Sequence, residues 1–144
     1  MILATLMYLI DTNVLSEIRK KKKANAGVLA FFKTAIKNNE SLFLSVITIG
    51  ELRRGIELIR YRGDTKQANL LEKWISVILN DYSDNILDID EDVAQLWGKL
   101  RSPHHEHALD KQIAATAIIH NLVVVTRNEK DFIRTGVNVL NPFI

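Results

Sequence analysis

The sequence predicts an α/β fold: a mostly parallel central sheet with helices on both faces. Three observations predict it. Short strand-like apolar runs alternate along the chain with longer helical patterns, which is the signature of βαβ units. The run Leu122-Val-Val-Val-Thr126 is β-branched and apolar on both faces, as a strand buried on both sides must be. Only two of the 144 residues are proline, Pro103 and Pro142, so little interrupts regular structure.

The strand-like runs are Tyr8–Ile10, Leu42–Val46, Ile86–Leu87, Leu122–Val125 and Val137–Leu140. Between them, Leu70, Leu71, Trp74, Ile75 and Ile78 recur at helical spacing. So do Val93, Leu96, Trp97 and Leu100, with Asp90 as N-cap, and so do Ile113, Ala117 and Ile118. Trp74 and Trp97 lie on apolar helix faces and read as core rather than as base-stacking platforms. The stretch from Asp64 to Tyr82 has enough apolar surface for core and partner contacts together.

The composition is 47% hydrophobic and 25% charged, without repeats or a low-complexity linker, so one globular domain over residues 1–144 is expected. The absence of cysteine excludes a disulfide scaffold, a cysteine zinc site, an iron–sulfur cluster and a cysteine nucleophile. Met1 to Ile10 is too short to span a membrane and lacks the features of a signal peptide, so no membrane association and a cytoplasmic location are expected. The net charge is only +2, but residues 1–40 carry seven basic against three acidic groups. Most of that excess is the run Arg19, Lys20, Lys21, Lys22 and Lys23, which can attract phosphate or simply lie solvated in a turn.

In a parallel sheet, all strands end at the same edge, and ligand sites gather there. Asp11 follows the first strand-like run, with Thr12 and Asn13 after it. Glu51 follows the second, Asp110 opens the helix before Leu122, and Thr126, Asn128 and Asp131 follow Val123–Val125. Each acid has a plain structural explanation. Asp11 and Asp110 suit helix starts, Thr48-x-x-Glu51 has a capping-box pattern, and Asn128-x-x-Asp131 reads as another helix start. Capping gives no reason for acids to follow two strands and precede a third. Carboxylates gathered at one edge repel and lose hydration, and a hard divalent cation such as Mg²⁺ or Mn²⁺ relieves both. Ala114 and Ala117, on the face of Asp110, are small enough to let that helix approach the sheet closely.

These residues carry a family resemblance. Tyr8-Leu-Ile-Asp-Thr-Asn-Val-Leu-Ser16, Ser45-Val-Ile-Thr-Ile-Gly-Glu-Leu-Arg-Arg-Gly55, Asp110-Lys-Gln-Ile-Ala-Ala-Thr-Ala117 and Val125-Thr-Arg-Asn-Glu-Lys-Asp-Phe132 resemble, in order, the PIN-domain ribonucleases of the VapC/FitB-like toxin group. The ending Val139-Leu-Asn-Pro-Phe143 resembles that family's last strand. The resemblance implies a three-layer α/β/α sandwich, Mg²⁺ or Mn²⁺ as cofactor, RNA as substrate, a homodimer, and a cognate antitoxin that covers the acidic cleft. It implies that Asp11 and Asp110 ligate metal, that Glu51 holds the metal or orients water, and that Thr12, Asn13 and Thr126 support the acids. Hydrolysis to a 5′-phosphate and a 3′-hydroxyl is the implied chemistry.

The chain departs from the pattern twice. A fourth acid often stands where this chain has Asn128, which brings an oxygen but no charge; Asp131, three residues on, is a partial substitute, and Asn128 or Asp131 is expected to assist a second, weaker ion. Relatives begin near Met7, so Met1 to Leu6 reads as an N-terminal extension or as a mis-set start. Arg19 to Lys23 and Arg53 are the expected RNA contacts, with Arg54 the alternative to Arg53. The loop His104-His105-Glu106-His107 is a candidate for a borderline metal but reads more simply as solvated. The competing function is a PIN-like module that binds RNA or protein without cutting. A phosphate-receiver domain is disfavoured because Asp11 stands alone and the last strand leads to Asn141-Pro142, and a dinucleotide fold because no glycine-rich turn follows the first strand.

Overall fold

The structure is a computed structural model that describes residues 6–144. The expected extension therefore lies, apart from Leu6, outside the described residues. In chain order the elements are β1 (Met7–Ile10), α1 (Thr12–Ile18), α2 (Ala26–Lys37), β2 (Ser41–Ser45) and α3 (Val46–Tyr61). There follow α4 (Thr65–Asp81), β3 (Ile86–Leu87), α5 (Glu91–Leu100), α6 (Ala108–Ile119), β4 (Val123–Val125) and β5 (Val139–Leu140). Short 3-10 turns stand at Lys21–Lys23, Ser83–Asn85, Glu129–Asp131 and Ile133–Thr135.

The five strands form one parallel sheet in the order β3-β2-β1-β4-β5. The chain steps outward from β1 through β2 to β3. It then crosses back through α5 and α6 to place β4 on the other side of β1. The order thus reverses at β1, and the crevice beyond β1 and β4 is the place where such sheets bind ligands.

Alternation along the strands divides the core between the two faces. Tyr8, Ile10, Leu44 and Val125 pack with α1 to α4, through Val14, Val28, Phe32, Leu52, Ile56, Leu71, Ile75 and Ile78. Leu9 and Val124 pack on the opposite face with Ile113, Ala114 and Ala117 of α6, and with Phe132. Ala114 and Ala117 are fully buried there, and their small side chains let α6 lie close on the sheet. Because β1 and β4 are covered on both faces, every residue in them must be apolar, which explains the unbroken apolar runs.

The C-terminal segment is tied to α2 by one side chain. Asn25 Oδ1 accepts hydrogen bonds from Gly27 N at 2.9 Å and Ile144 N at 3.2 Å, while its Nδ2 donates to Ile144 O at 2.8 Å. Glycine is required beside it, since a Cβ at Gly27 would stand 2.0 Å from the carbonyl oxygen of Pro142. Gly27→Ala is therefore expected to destabilise the fold by about 1–3 kcal/mol, as overpacking does. Urea unfolding measures this, and an unchanged midpoint would contradict the described seating of the C-terminal segment.

Candidate active site

Asp11 is the first residue beyond β1. Its backbone N–H donates to Val125 O at 2.9 Å, so pairing with β4 continues to the carboxylate itself. The residue is only 5% exposed. Oδ1 accepts from Thr12 N at 2.8 Å, which caps α1. Oδ2 accepts from Thr126 Oγ1 at 2.8 Å and from Asn13 Nδ2 at 3.2 Å. Capping and site-building are thus done by the same group. Burial raises the Asp11 pKa, and the donors from Thr126, Thr12 and Asn13 work against that rise.

The other polar residues expected as supports also touch this group. Thr12 Oγ1 donates to Glu51 Oε1 at 2.9 Å. Asn13 Oδ1 accepts from Arg127 N at 3.0 Å, and Thr126 Oγ1 accepts from Asn128 N at 3.0 Å. The loop after β4 is thereby fastened to the start of α1.

Glu51 projects from α3. The cap of this helix is Ser45, whose hydroxyl accepts from Ile47 N at 3.0 Å. The Thr48-x-x-Glu51 capping box expected from the sequence does not form, because the helix begins earlier; Thr48 is buried inside it. Glu51 has no capping duty. Burial raises its pKa, Thr12 lowers it, and the charge of Asp11 raises it further.

Asp110 lies in the first turn of α6 and Asp131 ends the 3-10 turn Glu129–Asp131. His107, which precedes α6 with a left-handed backbone at φ 55°, stands between them. Its Nδ1 is 3.9 Å from Asp110 Oδ2 and 3.8 Å from Asp131 Oδ1. Ligand atoms of these three residues all lie within 4.8 Å of one another. The Asp110 pKa is pushed up to about 6, first by burial, then by the charges of Asp11, Asp131 and Glu51; His107 opposes this. Trp97 Nε1 donates to Ala108 O at 2.9 Å, which fixes α5 on the start of α6 beside these groups.

The remaining expected residues fall elsewhere. Asn128 is exposed and joins the network through its backbone alone, its N–H donating to Thr126 Oγ1 and its carbonyl accepting from Asp131 N, so Asp131 rather than Asn128 stands beside Asp110. Arg19 lines a groove with Thr12 and Glu51, and Lys21 lines a neighbouring one with Trp74. Lys20 pairs with Glu17 at 2.9 Å, and Lys22 and Lys23 are exposed. Arg53 is engaged otherwise than expected: it grips Glu72 of α4 at 2.8 and 3.2 Å, in a network with Glu57 and Arg60. Hydrogen bonds from Arg53 and Arg60 hold the Glu72 carboxyl down to about 2. Trp74 and Trp97 are half-buried. The three histidines of the 104–107 loop are exposed, yet His107 reaches the acids, which only its position three residues before Asp110 could have signalled.

Among the described residues, no lysine or arginine forms an ion pair with Asp11, Glu51, Asp110 or Asp131. Carboxylates with no lysine or arginine paired to them, and one imidazole beside Asp110 and Asp131, fit a hard divalent cation. The arrangement also makes a prediction about the protein alone. A folded-state pKa near 6, above the unfolded value of 3.8, means that ionised Asp110 opposes folding above about pH 6 and is neutral to it below about pH 4. Asp110→Asn should therefore stabilise the metal-stripped protein at pH 7.5 by on the order of 1–2 kcal/mol, a few degrees in Tm. Thermal melts in chelator check this: the gain should fade between pH 6 and pH 4, and a pH-independent difference would contradict the assigned repulsion.

Comparison with known proteins agrees with this fold. The PIN domain family profile matches residues 8–138. The chain is 38% identical to Toxin FitB of Neisseria gonorrhoeae over 143 residues, covering 95% of this chain and 99% of that one. It is 32% identical to VapC ribonuclease Y4jK of Sinorhizobium fredii, covering 95% and 98%. The crystal structure of FitAcB from Neisseria gonorrhoeae superposes with a TM-score of 0.80 at 37% identity, covering 94% of this chain and 98% of that chain. A parallel sheet reversing at β1, an acidic group at its edge and these likenesses have one reading: the chain belongs to the PIN-domain family.

Proposed function

We propose that the protein is a metal-dependent endoribonuclease and the toxin of a toxin–antitoxin module. The observation that carries the reading is a pair of acidic groups beyond the strand ends: Asp11 and Glu51, bridged by Thr12, and Asp110 and Asp131, whose ligand atoms lie with that of His107 within 4.8 Å of one another. The likeness to proteins named Toxin FitB and VapC ribonuclease supports it.

Asp11, Glu51 and Asp110 would hold Mg²⁺ or Mn²⁺, with Asp131 assisting and Asn128 offering at most an uncharged oxygen. When bound, such an ion lowers the pKa of water and neutralises charge developing on a phosphodiester. The chain's own residues prepare that site. Thr126 and Asn13 hold Asp11 Oδ2, and Thr12 holds both Asp11 Oδ1, through its N–H, and Glu51 Oε1, through its hydroxyl. These bonds fix two carboxylates before any ligand arrives, so little reorganisation is needed at the moment of reaction. Arg19, beside Glu51 and Thr12, is placed to meet a phosphate of the incoming strand.

An antitoxin and a second copy of the chain are the proposed protein partners. Leu70 and Val77 of α4 are 55% and 54% exposed, and such apolar surface suits a partner. No described helix is long and apolar enough to cross a membrane, and the cytoplasm is the proposed setting.

Asp11→Asn and Asp110→Asn should each lower Mg²⁺-dependent RNA cleavage by about 100-fold or more, about 2.7 kcal/mol of transition-state stabilisation. Asp131→Asn should cost less, and Asn128→Ala least. Chelation should abolish cleavage, and Mg²⁺ or Mn²⁺ should restore it. Cleavage by Asp11→Asn or Asp110→Asn within a few-fold of the parent would reject the assignment. RNA bound by the parent but left intact would favour the non-cutting module, which the uncharged Asn128 supports.

A further inference from the structure

A pocket of about 580 Å³ adjoins the carboxylates. It lies between the C-terminal end of α5, the loop before α6 and the 3-10 turns after β4. His107 and Asp131, which stand with the acids, also line it, so the two cavities share a wall.

Its charge is opposite in sign to that of its neighbour. Lys99, Lys111, Lys130 and Arg134 line it, against the carboxylates of Glu106 and Asp131. None of the four cations forms an ion pair among the described residues. Lys111 is the telling one. It is only 8% exposed, and its ammonium donates to the carbonyl of His104. An ammonium has three donors, and burying one is costly unless anions meet it; the Glu106 carboxylate lies within reach of its charge, and donors remain for a second anion. The pocket can admit such an anion, and its volume suits a nucleotide rather than a bare ion.

We infer that this pocket is a phosphate subsite for the RNA strand, seating a phosphate that flanks the bond to be cut, with Lys111 as the buried anchor and Lys99, Lys130 and Arg134 around it. The inference rests on the ribonuclease reading of the adjoining acids. The physical need is plain: a polyanion approaching four carboxylates is repelled, and cations beside them offset that repulsion and set the strand's register. Contacts to phosphate position a strand without reading its bases, so this subsite contributes grip and placement rather than sequence choice.

Lys130 and Arg134 are exposed, so replacing them leaves the core intact. The test compares the parent, the double variant Lys130→Gln/Arg134→Gln, and the double variant Lys33→Gln/Lys37→Gln, which removes the same charge from exposed positions of α2. Steady-state cleavage of a labelled single-stranded RNA in Mg²⁺ is followed across a range of salt concentrations. The pocket variant should show KM raised about tenfold or more with kcat within about threefold. Its plot of log kcat/KM against log salt should be shallower by up to about 0.7, the contribution of the one phosphate contact on a single strand. The α2 variant should change KM by less than about threefold. Equal effects of the two variants, or an unchanged KM in the pocket variant while the parent cuts RNA, would overturn the subsite alone. A parent that cuts no RNA in Mg²⁺ or Mn²⁺ would overturn the ribonuclease reading and the subsite with it.

Discussion

The buried carboxylate of Asp11 is the constraint around which the rest of the site is arranged. β1 runs through the centre of the sheet and delivers this group below the surface, where an ionised oxygen has lost most of its water. Three donors replace that water. Thr12 N comes from the helix that Asp11 caps, Asn13 Nδ2 from the next residue, and Thr126 Oγ1 from the strand across the reversal point. The last bond matters most for architecture, since it joins residues 115 positions apart and ties the end of β4 to the end of β1. Once that end is fixed, Asn13 and Thr126 hold the backbone of Arg127 and Asn128, and Asp131 follows one short turn later.

The electrostatics follow from this placement. Glu51 and Asp110 arrive from helices on the two faces of the sheet, because α3 packs on one side and α6 on the other. Each meets the field of Asp11 in partial burial, and each has its pKa raised. Stability alone would not favour such a grouping, since like charges in a poorly hydrated place oppose folding. The fold instead sustains it with a large two-sided apolar core, and close packing of Ala114 and Ala117 brings Asp110 in. Strain of this kind at a strand edge belongs to a site that binds something positively charged. The cation-lined pocket next door gives the surface two neighbouring regions of opposite sign.

Much of this was readable from the sequence, for a geometrical reason. A parallel sheet collects the residues after its strands at one edge, so the positions of Asp11, Glu51, Asp110 and Asp131 relative to apolar runs already place them on that edge, where Asp11 and Glu51 share Thr12 and Asp110 and Asp131 share His107. The unbroken apolar character of Val123–Val125 marks a strand covered on both faces, and its core contacts are divided accordingly. Less readable was what depends on the start of a helix or on packing between helices. α3 begins at Val46 because the Ser45 hydroxyl takes up a backbone N–H there, so the residues read as the end of a strand and a capping box are one continuous helix. Arg53 looks like an available cation until α4 folds back and brings Glu72 against it. His107 takes its place through a left-handed backbone that nothing in the residue type announces. The choice of Asp131 over Asn128 depends on the pitch of one short 3-10 turn, which residue spacing alone leaves open.

The central claim is that these separate acids make a single binding place for one hard divalent ion. Crystals soaked in Mn²⁺ and measured for anomalous scattering test it most directly. The account predicts a peak at coordinating distance from oxygens of Asp11 and Asp110, with Glu51 reached directly or through water. A peak confined to the exposed histidine loop, or none at these carboxylates when Mn²⁺ is abundant, would contradict it.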